Sequence, residues 1–397
     1  LTDLVSYGFG RRIQICTGTE GDPFPSSWTL FVSGYVKLAT LRGNQLVLEM
    51  RDIREQLAWP IQTNLYAGDN QLPNGFEGVE EDLRGYPKPL CYGRCDNVPA
   101  IQVNTALHIY QVHDGPVDSI YHVMDMGAPF TFDTDYATKE ALAAATIDEG
   151  YYATCIAEGF FRLGSIAAGE VTADVYGDAD GGYVETVSEI VERMLLRFGF
   201  TSGQLDNTSF TALASAAPQP VGICIVDEMQ FDEAIDMVLN SVGAWLLPTR
   251  FGIWQVGRRE APSGSPIATV HDADMLSGDW VLSNDEGQGL PAWRVTARWG
   301  RNWMPLTTIA GVVPEAEQQW LKQQWRETSV ADLAVLIQFP DAHSLDMETL
   351  LYLADDADAE ALLEFNLRKV HRDHLQLDVA LANVLSDIDL GSTILVD

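Results

Sequence analysis

A chain of 397 residues that is 46% hydrophobic and 10% aromatic can bury several cores, which argues for roughly two to four domains and against a disordered polymer. Its 57 Asp and Glu against 24 Lys and Arg give a formal charge of −33, which disfavours a conventional nucleic-acid-binding face. There is no run of about 18 apolar residues, so no membrane span is expected. The five cysteines (Cys16, Cys91, Cys95, Cys155, Cys224) are odd in number and mostly in apolar surroundings, which suits reduced, cytosolic assembly without a disulfide framework. The first residues lack a basic region followed by an apolar core, so no signal peptide is visible. The chain opens without Met in what reads as a strand (Arg12–Cys16), and further residues before Leu1 are expected.

Residues 1–66 read as β-structure. Trp28–Leu38 and Gln45–Met50 alternate around a Gly43-Asn44 turn, the pattern of a hairpin. Arg51–Pro60 reads as a short helical or irregular cap stopped by Pro60. In residues 67–147, Gly68, Pro73, Gly75, Gly78, Gly85, Pro87 and Pro89 break every candidate helix, so a loop-rich, partly β insertion is expected. Short strands are predicted at Ile101–Val103, Leu107–Val112 and Ser119–Met124, and one short helix at Thr138–Ala145. Strand grammar returns at Tyr151–Ala157, Phe160–Leu163 and Glu170–Val175. These strands are expected to rejoin the first sheet, making residues 1–66 and about 148–180 one discontinuous β-barrel-like domain.

Residues 181–278 read as an α+β domain. Thr186–Phe200 places Val187, Ile190, Val191, Met194, Leu195 and Phe198 on one helical face, with Gly199 as its stop. Gln230–Gly243 predicts a second helix, with Phe231, Ala234, Ile235, Val238 and Leu239 facing inward. Ala244–Pro248 and Gly252–Gly257 read as a hairpin, and Glu260–Pro266 as a linker. Residues 279–397 are expected to form a second β-barrel-like domain. It comprises an alternating strand at Ala292–Trp299, helical or extended residues 315–330, a helix at Ala357–Arg372, a strand at Leu375–Leu381, and a turn into a final strand over Leu390–Val396. The fold class is therefore mixed and mainly β with α+β parts.

The chemical signals are weak against ordinary structural readings. Cys91-Tyr-Gly-Arg-Cys95 has no second ligand pair for tetrahedral zinc and is one residue longer than a redox C-x-x-C, so it reads as a fixed loop carrying one reaching cation, Arg94. His371 and His374, with Asp373 and Asp378 nearby, sit where a helix should give way to a strand, and read as surface histidines. Glu80–Asp82, Asp178–Asp180, Asp355-Asp356 and Asp387–Asp389 read as solvated turns; Asp178–Asp180 lacks the later bidentate Glu of a calcium loop. No P-loop, Gly-x-Ser-x-Gly or HExxH occurs. No residue is given a catalytic, cofactor-binding or metal-binding role, no cofactor is expected, and the chain is not read as an enzyme.

A further set of residues matters by its order. Leu57, Pro60 and Gln62 close the first β segment, followed by Pro87, Pro89, Gly93 and Arg94, then Tyr110-Gln111 and Asp114-Gly115. Next come Leu163, Ala168–Val175 and Gly177, the paired helices, Val221-Gly222, Pro291, Arg294-Val295 and Arg301–Trp303, and a closing Leu390–Ile394. In this order the chain resembles the tail tip hub proteins of siphophages, whose fold is shared with contractile-tail baseplate hubs and tail-like particles. The resemblance implies two barrel domains per subunit and a homotrimeric ring that seats a threefold tip on a sixfold tail tube. It implies as partners the distal tail or tail tube proteins, the tape-measure protein, and fibre or central spike proteins. DNA would pass the channel without specific binding, and the host envelope would be met at ejection. The location implied is the virion tail tip, assembled in the host cytoplasm. Larger hubs carry fibre or receptor-binding modules after the second barrel, which this sequence does not show. Two other readings stand beside it: a tail-associated glycan- or peptidoglycan-degrading enzyme, and a carbohydrate-binding adhesion module suggested by ten Trp and 13 Tyr.

Overall fold

The computed structural model describes residues 11–397 apart from 44, 52–53, 55–56, 259–264, 283–291, 354–356, 364–374, 382–387 and 389–390. The first sheet is β1 (Arg12–Thr17), β2 (Thr29–Arg42) and β3 (Gln45–Arg51), antiparallel in that order, with the β2–β3 hairpin turning at Gly43 as predicted. Next come β4 (Leu90–Pro99), β5 (Ile101–Asn104), β6 (Ile109–Gln111), β7 (Val117–Asp125), β8 (Ala128–Pro129) and β9 (Thr131–Asp135). After them lie a short helix α1 (Lys139–Ala144), β10 (Tyr151–Cys155), β11 (Phe160–Leu163) and β12 (Val171–Asp178).

The helical block contains α2 (Val187–Phe198), α3 (Asn207–Ala216), β13 (Gly222–Ile225), α4 (Phe231–Asn240) and the hairpin β14 (Ala244–Pro248)–β15 (Trp254–Arg258). Helix α2 starts on a Thr186–Glu189 capping box and stops at Gly199, whose φ of 109° suits glycine. The apolar faces predicted for α2 and α4 are buried, with Phe198 half-buried at the rim. Helix α3 and strand β13 were not predicted.

The remaining strands are β16 (Ala268–Val270), β17 (Met275–Leu282), β18 (Arg294–Trp299), β19 (Arg326–Ala331), β20 (Ser344–Glu348), β21 (Leu375–Leu381) and β22 (Ile394–Val396). Helices α5 (Glu315–Lys322) and α6 (Leu333–Gln338) flank β19. Strand β18 lies between β19 and β20, β17 pairs with β21, and β16 runs parallel to β22. Of the helix expected over 357–372, residues 357–363 are helical and 364–372 lie outside the described residues, as does most of the linker at 260–266.

The class is mainly β with α+β parts, as the sequence implied. Among the described residues the sheets stay open rather than closing into barrels. Two of their edges meet loops: Gly78 N–H donates to Val103 O on β5, and Gly222 N–H of β13 donates to Leu350 O. The expected rejoining of 148–180 with the first sheet is not what forms. Strands β10 and β11 complete a sheet ordered β5-β6-β11-β10-β9, and β12 enters one ordered β13-β4-β12-β7-β8. The segment read as an insertion thus supplies central strands, because its glycines lie at turns and at one irregular step inside β4. Among the described residues no helix is long and apolar enough to cross a membrane.

Candidate functional site

Strand β4 is an interior strand of its sheet. It pairs with β12 on one side and β13 on the other, and Leu90, Cys91, Tyr92, Cys95 and Val98 along it are all buried. Residues Cys91–Cys95 are therefore a strand, not the shaped loop expected. Gly93 has a φ of 67°, and a Cβ there would overlap the Val221 carbonyl oxygen. Its register partner Gly222 meets the Arg94 carbonyl in the same way, and Gly177 of β12 meets that of Cys91. Three chain segments approach so closely at β4 that only hydrogen fits at these positions.

Buried amides on and around this strand tie distant segments together. Gln62 donates to Asp227 O at 2.9 Å and Ile225 O at 3.4 Å, and accepts from Met229 N–H at 3.2 Å. Asn97 donates to Asn302 Oδ1 at 2.7 Å and to Met304 O at 2.6 Å, while Asn302 donates to Leu321 O at 3.1 Å. Both asparagines are buried. Gln111 accepts from Tyr66 Oη–H at 2.7 Å and donates to His113 O at 3.1 Å.

At one end of β12 lies a buried ionic cluster. Asp178, which the sequence suggested as a solvated turn, is 1% exposed and pairs with Arg193 and, at 3.6 Å, with Arg197 of α2. Arg197 also reaches Asp114 at 3.1 Å. His113 is fully buried; its Nδ1 accepts the Cys91 N–H at 2.9 Å, so the ring proton sits on Nε2, 3.5 Å from Asp178. Burial drives the His113 pKa below the ordinary histidine value despite the opposing pull of Asp178. Burial works to raise the Asp178 carboxyl, but His113 and Arg193 outweigh it and hold it below the usual range. A signal for this cluster lay not at Asp178 but on α2, where Arg193 and Arg197 stand four residues apart and so point to one place.

The half-buried face of the same sheet carries Arg94, whose guanidinium lies 3.6 Å from the Tyr352 ring centroid, near Tyr121 and Tyr176, and 3.3 Å from Asp96. Tyr121 Oη–H donates to Asp96 at 2.6 Å, and the exposed His122 ring bonds Asp174 at 3.0 Å. The reaching cation expected at Arg94 thus holds the Tyr352 segment onto the sheet. Elsewhere, a 620 Å³ surface depression is lined by Asp69, Asn70, Gln71, Phe76, Glu77 and Lys139. Asn70 is committed to Val103 O and Glu77 N–H, and Lys139 to Glu158.

Cys91, Cys95 and Cys224 share one core, but among the described residues no group of His, Cys, Asp and Glu has metal-binding geometry. His371, Asp373, His374, Asp355, Asp356, Asp387 and Asp389 lie outside the described residues, and Glu80 pairs with Arg84.

No family model matches the chain. No curated protein matches it either. Among solved structures it is similar to the 43 kDa tail protein of prophage MuSo2 from Shewanella oneidensis. The TM-score is 0.30 and the identity 10%, covering 76% of this chain and 81% of that one. A likeness of that size decides neither fold nor role.

Proposed function

We propose that this chain is a non-catalytic structural subunit of a bacteriophage tail, and in particular a tail tip hub. In this reading three copies form a ring that joins a sixfold tail tube to a threefold tip and surrounds the DNA exit path. Its neighbours would be tail tube, tape-measure and fibre or spike proteins. What supports it is the convergence of the resemblance residues. Gln62, Gly93, Arg94, Gln111, Asp114, Gly177, Gly222 and Asn302, spread over most of the chain, all act at or around the β4 junction. They lock segments together through backbone carbonyls and internal ion pairs, as a load-passing adaptor requires.

The test is co-expression with the neighbouring tail proteins, light scattering of the purified assembly, and imaging of particles labelled on this chain. The expected result is a threefold ring at the tail tip. Monomers persisting with all neighbours present, a sixfold ring, or label away from the tip would defeat the reading. The −33 charge adds an expectation for the channel wall: its lining is acidic or neutral, and Asp and Glu there repel phosphates within roughly 10 Å at ordinary salt. Labelled duplex DNA should therefore not be retained even at low salt, where attraction is strongest. Saturable micromolar retention would point instead to a DNA-gripping protein.

A further inference from the structure

We propose that Cys91 and Cys224 are a latent cross-strand dithiol, a modification site that closes to a disulfide and fixes β13 covalently to β4. The two residues are direct partners in the antiparallel β4–β13 register. The Cys91 carbonyl abuts Gly177 on β12, the neighbour of β4 on the side away from β13, and the Cys91 N–H donates to His113. Since neither polar group of Cys91 faces β13, this is a non-hydrogen-bonded antiparallel pair. Opposed Cα atoms in such pairs stand about 4.5 Å apart with their side chains close. That separation lies inside the roughly 4.4–6.8 Å span that disulfides require. Both thiols enter the same apolar core, beside Cys95.

All five cysteines are free, and Cys91 and Cys224 are 0% and 4% exposed. Exchange therefore proceeds when β13, an edge strand, lifts from β4. Closure removes one hydrogen from each thiol. One thiolate attacks a disulfide oxidant such as glutathione disulfide and expels a glutathione thiol; the second attacks the mixed disulfide and expels the other. Two protons and two electrons leave the protein, and one S–S bond forms in it. The bond would join the helical block to the central sheet across a loop of more than a hundred residues, which restricts the unfolded chain.

The experiment exposes the full chain to glutathione disulfide at the urea concentration where a maleimide first labels Cys224, so that access is not limiting. Free thiols counted after acid quench and denaturation should fall from five to three. The intact mass should drop by two hydrogen atoms, and peptide mapping should join Cys91 to Cys224. The oxidised protein should show a higher urea midpoint. Cys95→Ser should leave this closure intact, whereas Cys224→Ser should abolish it. Retention of all five thiols, a Cys91–Cys95 bridge, or persistent glutathione adducts at Cys91 or Cys224 would overturn the assignment.

Discussion

The sheet built on β4 and the sheet built on β2 are both open, and antiparallel pairing dominates each, but they are stabilised differently. The β4 sheet is covered by two apolar cores, one shared with α2 and α4 and the other formed with β6, β10 and β11. The β1–β2–β3 sheet includes the 14-residue β2 yet leaves Ile15, Leu38 and Leu41 more than two-fifths exposed. Strand pairing alone contributes little per residue pair. What separates the two regions is the material on their faces, so the first should fail on changes of a few atoms and the second should absorb them.

The largest contrast is expected at glycines. Gly93→Val would force a β-branched side chain into a positive-φ position against the Val221 backbone, and should cost about 4 kcal/mol or more. Gly21, before β2, also has positive φ but nothing nearby, so Gly21→Ala should cost only about 1–2 kcal/mol. Urea melts of both variants measure the difference; equal costs would mean that crowding at β4 is not what holds it. Next in size, Asn302→Ala leaves buried partners on Asn97 and Leu321 and should cost about 2–3 kcal/mol. Leu41→Ala should stay within about 0.5 kcal/mol.

A dependence on pH is expected as well. Burial makes His113 harder to protonate in the fold than in the unfolded chain, which takes up a proton there as pH falls past the ordinary value of 6.5. Stability should therefore drop below that pH, by at most about 1.4 kcal/mol per unit from this group. Asp178, held low, keeps its contribution until pH falls below the ordinary carboxylate value. His122 acts in the opposite sense. Its hydrogen bond to Asp174 raises its pKa, so its contribution is full below pH 6.5 and disappears as pH rises through the raised value. Because His122 is largely exposed, solvent screening should keep this to a few tenths of a kcal/mol. Urea midpoints across pH 5–8, with and without His122→Ala, separate the two slopes.

Local periodicity carried the helices α2 and α4, the β2–β3 and β14–β15 hairpins and the alternating strand β18, because each is set by neighbours within a few positions. It failed at β4. There Gly93 and Pro89 look like breakers, while the strand is imposed by β12 and β13, whose pairing partners are far away in sequence. It failed likewise at Asp178, where an acidic, glycine-rich stretch gave no hint of two arginines arriving from the next helix. The resemblance residues could be read in order, but their meaning as clashes and buried amides is visible only in three dimensions.

The tie between Asn97 and Asn302 spans 205 positions, which has a consequence for how the protein is made. At typical synthesis rates the second residue leaves the ribosome roughly 10–40 s after the first. During that interval β4 exists without its last partner. Its two edges are taken first by β12 and then by β13, and what stays unfilled until the end is the buried amide of Asn97. The protein therefore reaches its final rigidity late in translation, and a chain cut short before Asn302 would carry a paired central strand whose buried Asn97 amide has no partner from that segment.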